Sequence, residues 1–201
     1  MVKFKGINHL SMVTGDMDST IRFWRDLLGM RLVIGWGKPG YRIYFFEISD
    51  YDRIAFFEWP GVEPIQEKDA GVAVKGPVAF DHVSLGLETE NDLWKIKERL
   101  DAAGFWVSEA IDHGFIHSIY TFDPNGIAVE FSHNVENINV QKNSIMADSA
   151  PSQITLEGSE PQVDKWPLAE KITLPEERMI YPGFGSEMVQ QMYKGGKKTG
   201  D

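Results

Sequence analysis

"INHLSMVTGD" at residues 7–16 and "FDHVSLGLET" at residues 80–89 carry the same pattern, x-x-His-apolar-Ser-apolar, and each runs directly into a helical segment. The alternation of apolar and polar positions has the period of a half-buried strand, so each stretch reads as a strand that starts at a histidine. The chain therefore repeats one unit.

Working outward, the first helix is "DMDSTIRFWRDLLG", with Asp16 or Asp18 as the cap, Ile21, Trp24, Leu27 and Leu28 on one side, and Gly29 as the stop. The second, "ENDLWKIKERLDAAG", sets Leu93, Ile96 and Leu100 on one stripe and stops at Gly104. Three strand-like runs follow each helix, over 31–36, 41–49 and 53–59 in the first half and 105–110, 115–122 and 127–133 in the second. The expected class is α+β: two βαβββ modules, residues 1–61 and 80–134, forming a cupped, barrel-like mixed sheet. A Gly- and Pro-containing linker spans 62–79, and an irregular C-terminal arm spans 135–201. Within the arm, "GSEMVQQMYK" predicts a short helix capped by Ser186, and "GGKKTGD" a mobile end.

Composition narrows the function. The chain has 201 residues, 42% hydrophobic and 25% charged, and no apolar run near the ~20 residues of a membrane span. The start "MVKFKGINHL" lacks the features of a signal peptide, so a cytoplasmic protein with no membrane partner is expected. A net charge of -10 argues against nucleic acid, whose phosphates need clustered Lys and Arg. With no cysteine, a metal would have to sit on His, Asp or Glu, and there are five histidines to consider.

One carboxylate stands out. In "DPNGIAVEF", residues 123–131, Glu130 lies in an apolar strand, and a carboxylate buried alone costs several kcal/mol, so it needs a partner. Aligning "IAFFEW" with "IAVEFS" on their Ile-Ala places Phe57 opposite Glu130 and turns Glu58 to the other face. The repeat then offers His9, His82 and Glu130, with a fourth equivalent position left apolar. Two histidines and one carboxylate make a set that holds Fe(II) on one face and leaves positions open; Zn, Mn or Ni fit the same ligands. The competing reading makes both histidines core residues and pairs Glu130 with an arginine.

Hairpin geometry adds a further residue. If Asp123-Pro124-Asn125-Gly126 forms a type I turn with Gly126 left-handed, Tyr120 faces Glu130 across the ladder. The same register pairs His117 with His133 on the opposite face and removes both from the site. The aromatic residues Trp36, Tyr41, Tyr44, Phe46, Phe57 and Trp59 either line an apolar cup for a planar substrate or fill the core.

Paired βαβββ units with a histidine at each first strand and a glutamate on the last strand resemble the vicinal oxygen chelate superfamily over residues 1 to 135. That group includes glyoxalase I, fosfomycin-resistance transferases, methylmalonyl-CoA epimerase, bleomycin-binding proteins and extradiol dioxygenases, so the fold alone names no reaction. The second module, "IDHGFIHSIYTFDPNGIAVE", is similar to the type I extradiol signature at His113, Ile119, Tyr120, Asp123, Pro124, Gly126 and Glu130.

That resemblance implies a ring-cleaving dioxygenase in which Fe(II) on His9, His82 and Glu130 binds a catechol-like vicinal diol and dioxygen. Tyr120 would hold a substrate oxygen and His113 would act as an acid. Such enzymes also carry an acid-base histidine on the last strand of the preceding unit, where "YDRIAFF" has Asp52. Either Asp52 substitutes, or His113 and Tyr120 suffice, or the reaction is not ring cleavage. The alternative is a glyoxalase-like non-redox isomerase, lyase or epimerase, in which the metal steadies an enediolate while a carboxylate moves protons. A homodimer is expected in either case.

Overall fold

The computed structural model describes residues 7–38, 40–73, 75, 80–140, 142–143 and 169–182, with isolated positions at 153, 155–157, 159, 186, 190 and 193. Most of the predicted arm helix 185–194 and all of "GGKKTGD" lie outside the described residues.

The first module runs β1 (Leu10–Thr14), α1 (Met17–Ile21), β2 (Leu32–Lys38), β3 (Tyr41–Glu47) and β4 (Arg53–Glu58). The second runs β5 (Val83–Gly86), α2 (Glu90–Ala102), β6 (Ile111–Asp112), β7 (Ile116–Phe122) and β8 (Ala128–Asn134). These make two four-stranded mixed sheets, ordered β1-β4-β3-β2 and β5-β8-β7-β6, each with its parallel pair between the module's first and last strands. The class is α+β, built from two βαβββ modules as expected, and the strands form two open sheets.

Local chemistry sets the helix ends. The Asp16 carboxylate accepts Ser19 N–H at 3.0 Å at the start of α1, and Thr89 does the same for Asp92 N–H at 3.2 Å at the start of α2. Gly29 and Gly104 take φ of +80°, the left-handed stop that a Cβ would resist. The first helix differs from expectation beyond Ile21: Arg22–Leu27 continues as a π-helix, closed by Leu28 N–H on Phe23 O at 2.9 Å. The wider turn keeps the adjacent Phe23 and Trp24 both buried.

The expected strand over 105–110 is also absent. Val107 makes a single bridge to Thr121, and Thr121 Oγ1 donates to Trp106 O at 2.7 Å, so side-chain bonds replace the ladder there.

Alternation sorts each sheet into two faces. Ile54 and Phe56 on β4, and Val129 and Phe131 on β8, join Met17, Phe23, Trp24, Leu93 and Leu100 in one core on the helix side. The opposite face of the first sheet is a second apolar cluster of Ile43, Phe45 and Ala55, packed by Val33 and Phe57. The predicted aromatic set is thereby divided. Tyr44 and Phe46 belong to the helix-side core, whereas Phe57 stacks on Trp59 at 6.2 Å and Trp59 meets Tyr41 at 5.1 Å.

The β7–β8 turn ties the modules together. Gly126 has φ +78° and donates its N–H to Asp123 O at 2.9 Å, as a type I turn with a left-handed closing glycine requires. The buried Asp123 accepts Trp24 Nε1–H at 3.2 Å, and Asn125 Nδ2 donates to Thr20 Oγ1 at 3.3 Å. Residues 143–201 form a separate unit, whose described parts include short 3₁₀ turns at Thr155–Glu157 and Pro175–Glu177.

Candidate active site

The face of the second sheet that turns away from the helices is polar where its counterpart is apolar. In the observed register Tyr120 lies opposite Glu130, His117 opposite His133, and Ser84 beside Glu130. Glu130 is buried, yet two groups reach its carboxylate. His82, directly before β5, brings Nε2 to 3.1 Å of Oε2, and Tyr120 donates its hydroxyl to Oε1 at 3.1 Å.

Ser118 Oγ is buried without a hydrogen-bond partner, and Ser84 Oγ stands 3.0 Å from Ser132 Oγ. Burial pushes the Glu130 carboxyl up, but the nearby Ser118, Ser84 and Tyr120 hydroxyls, together with neighbouring His82, outweigh it and hold the group below its ordinary value. Glu130 is therefore a carboxylate at neutral pH.

Tyr120 behaves oppositely. Burial, and then the charge of Glu130, push its hydroxyl up to about 12, so it remains a donor at neutral pH. Its one proton goes to Glu130, so His113, 2.9 Å away at Nε2, is the donor in the bond between them. A cavity of about 260 Å³ opens beside this pair, walled by Trp106, Ile111 and Phe122 and by Asp69 and Ala70 of the linker.

The structure thus brings together His82, Glu130, Tyr120 and His113. It does not bring His9 or Asp52 to them. His9 sits at the start of β1 with Nδ1 2.8 Å from Asn8 Oδ1 and its ring 5.3 Å from Phe45. Asp52 belongs to the β3–β4 turn, where its carboxylate accepts Ile7 N–H at 2.8 Å and Ser49 Oγ–H at 2.7 Å. Among the described residues no three His, Cys, Asp or Glu side chains stand together as a metal site.

The fourth equivalent position also moves. Parallel pairing sets Ser11 beside Ala55 as it sets Ser84 beside Glu130, so Ala55, not Phe57, is the counterpart of Glu130. Two residues separate the alignment read from sequence from the one fixed by strand pairing, and both leave the position apolar. Glu58 lies on the other face, accepting Gly40 N–H at 2.9 Å and facing Arg42 Nε at 3.6 Å.

His82 and Glu130 fit a divalent metal. Two ligands at about 2.0–2.1 Å from one ion, separated by a right to tetrahedral angle, stand about 2.9–3.3 Å apart. The observed N···O separation is 3.1 Å, from a nitrogen and an oxygen donor of the kinds such ions take.

Sequence reasoning missed Asp81, Ser84, Ser118 and Ser132. The serines were legible in principle, because once Tyr120 faces Glu130, alternation puts residues 118 and 132 on the same face.

Comparison with known proteins adds the chemistry. A match to the Glyoxalase/Bleomycin resistance protein/Dioxygenase superfamily spans residues 6–131. The lactoylglutathione lyase of Haemophilus influenzae is 26% identical over 133 residues, covering 64% of this chain and 92% of that enzyme. The glyoxylase/bleomycin resistance protein/dioxygenase domain from Frankia sp. EAN1pec shares the fold with a TM-score of 0.55, 21% identity, and coverage of 66% of this chain and 100% of that one. A glyoxalase/dioxygenase from Nostoc punctiforme does so at 0.53 and 13%, covering 66% and 92%.

These findings overturn the expected Fe(II)-dependent ring-cleaving dioxygenase of an aromatic diol, because the related enzyme is a lyase and not an oxidoreductase. Asp52, read as a substitute for the extra acid-base group, is instead occupied in a turn. No described helix is long and apolar enough to cross a membrane. The chain belongs to the Glyoxalase/Bleomycin resistance protein/Dioxygenase superfamily.

Proposed function

We propose that the protein is a metal-dependent, non-redox lyase or isomerase that moves a proton between adjacent carbons of a small 2-oxo compound or its thiol adduct. The observation that carries this is the continuous chain His82–Glu130–Tyr120–His113, a carboxylate and a protonated hydroxyl held on one polar face. The likeness to lactoylglutathione lyase supports it and points to a hemithioacetal of glutathione as the substrate.

His82 Nε2 and Glu130 would hold the divalent ion. When bound there, the ion would supply Lewis acidity to a carbonyl or hydroxyl oxygen of the substrate. Glu130, ionised, takes the proton from the carbon bearing sulfur and oxygen; the carbonyl carbon then receives a proton and the hydroxyl proton passes to the former carbonyl oxygen, turning a hemithioacetal into a 2-hydroxyacyl thioester with no net oxidation. Tyr120 turns its hydroxyl from Glu130 onto a substrate oxygen, and His113 Nε2–H behind it supports that oxygen as charge develops. Trp106, Ile111 and Phe122 give the neighbouring cavity apolar walls for the substrate. His9, at the repeat-matched position, would join the ligand set from a second copy of the chain, so the active form is a homodimer.

The test is turnover under nitrogen. Protein loaded with Zn(II) or Ni(II) should convert the adduct of glutathione and a 2-oxoaldehyde to its thioester without consuming oxygen. Absence of turnover on this and on related 2-oxo adducts, in protein carrying full metal, would refute the reading.

A further inference from the structure

Asp81 lies outside that chain of groups yet touches its first member. Its Oδ1 stands 2.6 Å from His82 Nδ1, and the same oxygen accepts Gly71 N–H at 2.9 Å. Oδ2 faces Lys68 Nζ at 2.8 Å. Lys68 also donates to Asp69 O at 3.0 Å and Val72 O at 3.1 Å, so all three ammonium donors are used and the loop 68–72 is closed around them. With Gly71 N–H on one oxygen and the Lys68 ammonium on the other, Asp81 faces donors on both sides and acts as the acceptor, so His82 presents Nδ1–H to it.

The repeat makes the same contact in the first module. Asn8, immediately before His9, places Oδ1 2.8 Å from His9 Nδ1. Each histidine is therefore preceded by a side chain that accepts from Nδ1, and in His82 this leaves Nε2 facing Glu130. In the second module the acceptor carries charge and is clamped by the linker, and Asp69 and Ala70 of that linker also wall the cavity beside His113 and Tyr120.

We propose that Asp81, held by Lys68 and Gly71, is a positioning residue that fixes the orientation of the His82 ring so that Nε2 faces Glu130, making loop 68–72 a working part of the active site. The inference rests on the assignment of His82 and Glu130 as metal ligands, and is independent of the reaction they serve. A carboxylate on the far nitrogen of a metal-bound imidazole fixes its tautomer and raises its basicity.

The experiment measures Zn(II) affinity of the full-length, metal-free protein by competition with a chromophoric chelator. Asp81→Ala should weaken Zn(II) by about 10- to 100-fold. Asp81→Asn retains an oxygen acceptor, as Asn8 does beside His9, and should recover most of that loss. Lys68→Met, which leaves Asp81 in place but unclamped, should fall between them and covers the case of an Asp81→Ala chain that does not fold. In the Zn(II)-loaded wild type the His82 Nδ1–H should also appear as a slowly exchanging proton resonance that Asp81→Ala removes. Equal affinity in Asp81→Ala and wild type, or Asp81→Asn as weak as Asp81→Ala, would overturn the proposal. Failure of the ligand assignment looks different, since the wild type would then bind no Zn(II); failure of the lyase reading would leave the affinity series intact without turnover.

Discussion

The two sheets share a topology and differ on one face. At equivalent positions the first carries His9, Phe45 and Ala55, and the second carries His82, Tyr120 and Glu130. One face is closed by packing, with Ile43, Phe45 and Ala55 buried together. The other buries a carboxylate and surrounds it with an imidazole and hydroxyls. Duplicated backbone geometry thus supports both an apolar face and a reactive one, and the exchanges Phe45 for Tyr120, Ala55 for Glu130, Ile43 for Ser118 and Phe57 for Ser132 separate them. The connecting turns differ in the same way: Asp123 is buried on Trp24 Nε1, whereas Asp52 sits in an exposed turn on Ser49.

Exchanging residues between the faces tests the comparison. The largest effect should come from Ala55→Glu, which puts a carboxylate on the first face where Phe45 stands in place of the hydroxyl donor Tyr120. An uncompensated buried charge costs about 3–5 kcal/mol, readable by denaturant unfolding, whereas a variant of wild-type stability would mean that the face is hydrated.

Tyr120→Phe makes the second face resemble the first at one atom. It should leave Zn(II) content unchanged and slow turnover by about 10- to 10³-fold, while the reciprocal Phe45→Tyr should alter neither. An unchanged rate in Tyr120→Phe would remove the hydroxyl from the mechanism.

Asp123→Asn turns an amide N–H₂ toward donors that the carboxylate had accepted, Trp24 Nε1 and Asn125 Nδ2. It should cost about 1–3 kcal/mol in unfolding free energy. Asp52→Asn, in the exposed turn, should change stability by no more than about 0.5 kcal/mol. Comparable losses at the two sites would erase the distinction between the turns.

The smallest effect is a pH dependence. Because the folded state raises the Tyr120 hydroxyl from 10.0 to about 12, its neutral form is favoured on folding. That contribution is whole below pH 10 and is lost as pH rises toward 12, so the stability difference between wild type and Tyr120→Phe should be constant to about pH 10 and change above it.

Much of this contrast was legible in the sequence. The repeated His-apolar-Ser pattern, the capped helices and the Asp-Pro-Asn-Gly turn are local signals, and the turn fixes a register in which Tyr120 meets Glu130. Long-range pairing was not legible. Whether β4 meets β1 through Ala55 or Phe57 depends on a parallel contact between strands over 40 residues apart, which no local pattern encodes. For the same reason His9 read as a neighbour of His82, although the two repeat positions do not meet within the chain. Asp81 and Lys68 went unnoticed because their roles arise from a linker loop folding back onto the strand start. The resemblance of the second hairpin to the extradiol signature did not carry the reaction with it.

The central claim is that the second sheet holds the metal through His82 and Glu130. Its most direct test is a Zn(II) binding isotherm on wild type, His82→Ala, Glu130→Ala and the double variant. The account predicts one tight site per chain in the wild type, weakened by more than about 100-fold in either single variant. Undiminished Zn(II) affinity in the double variant would contradict it.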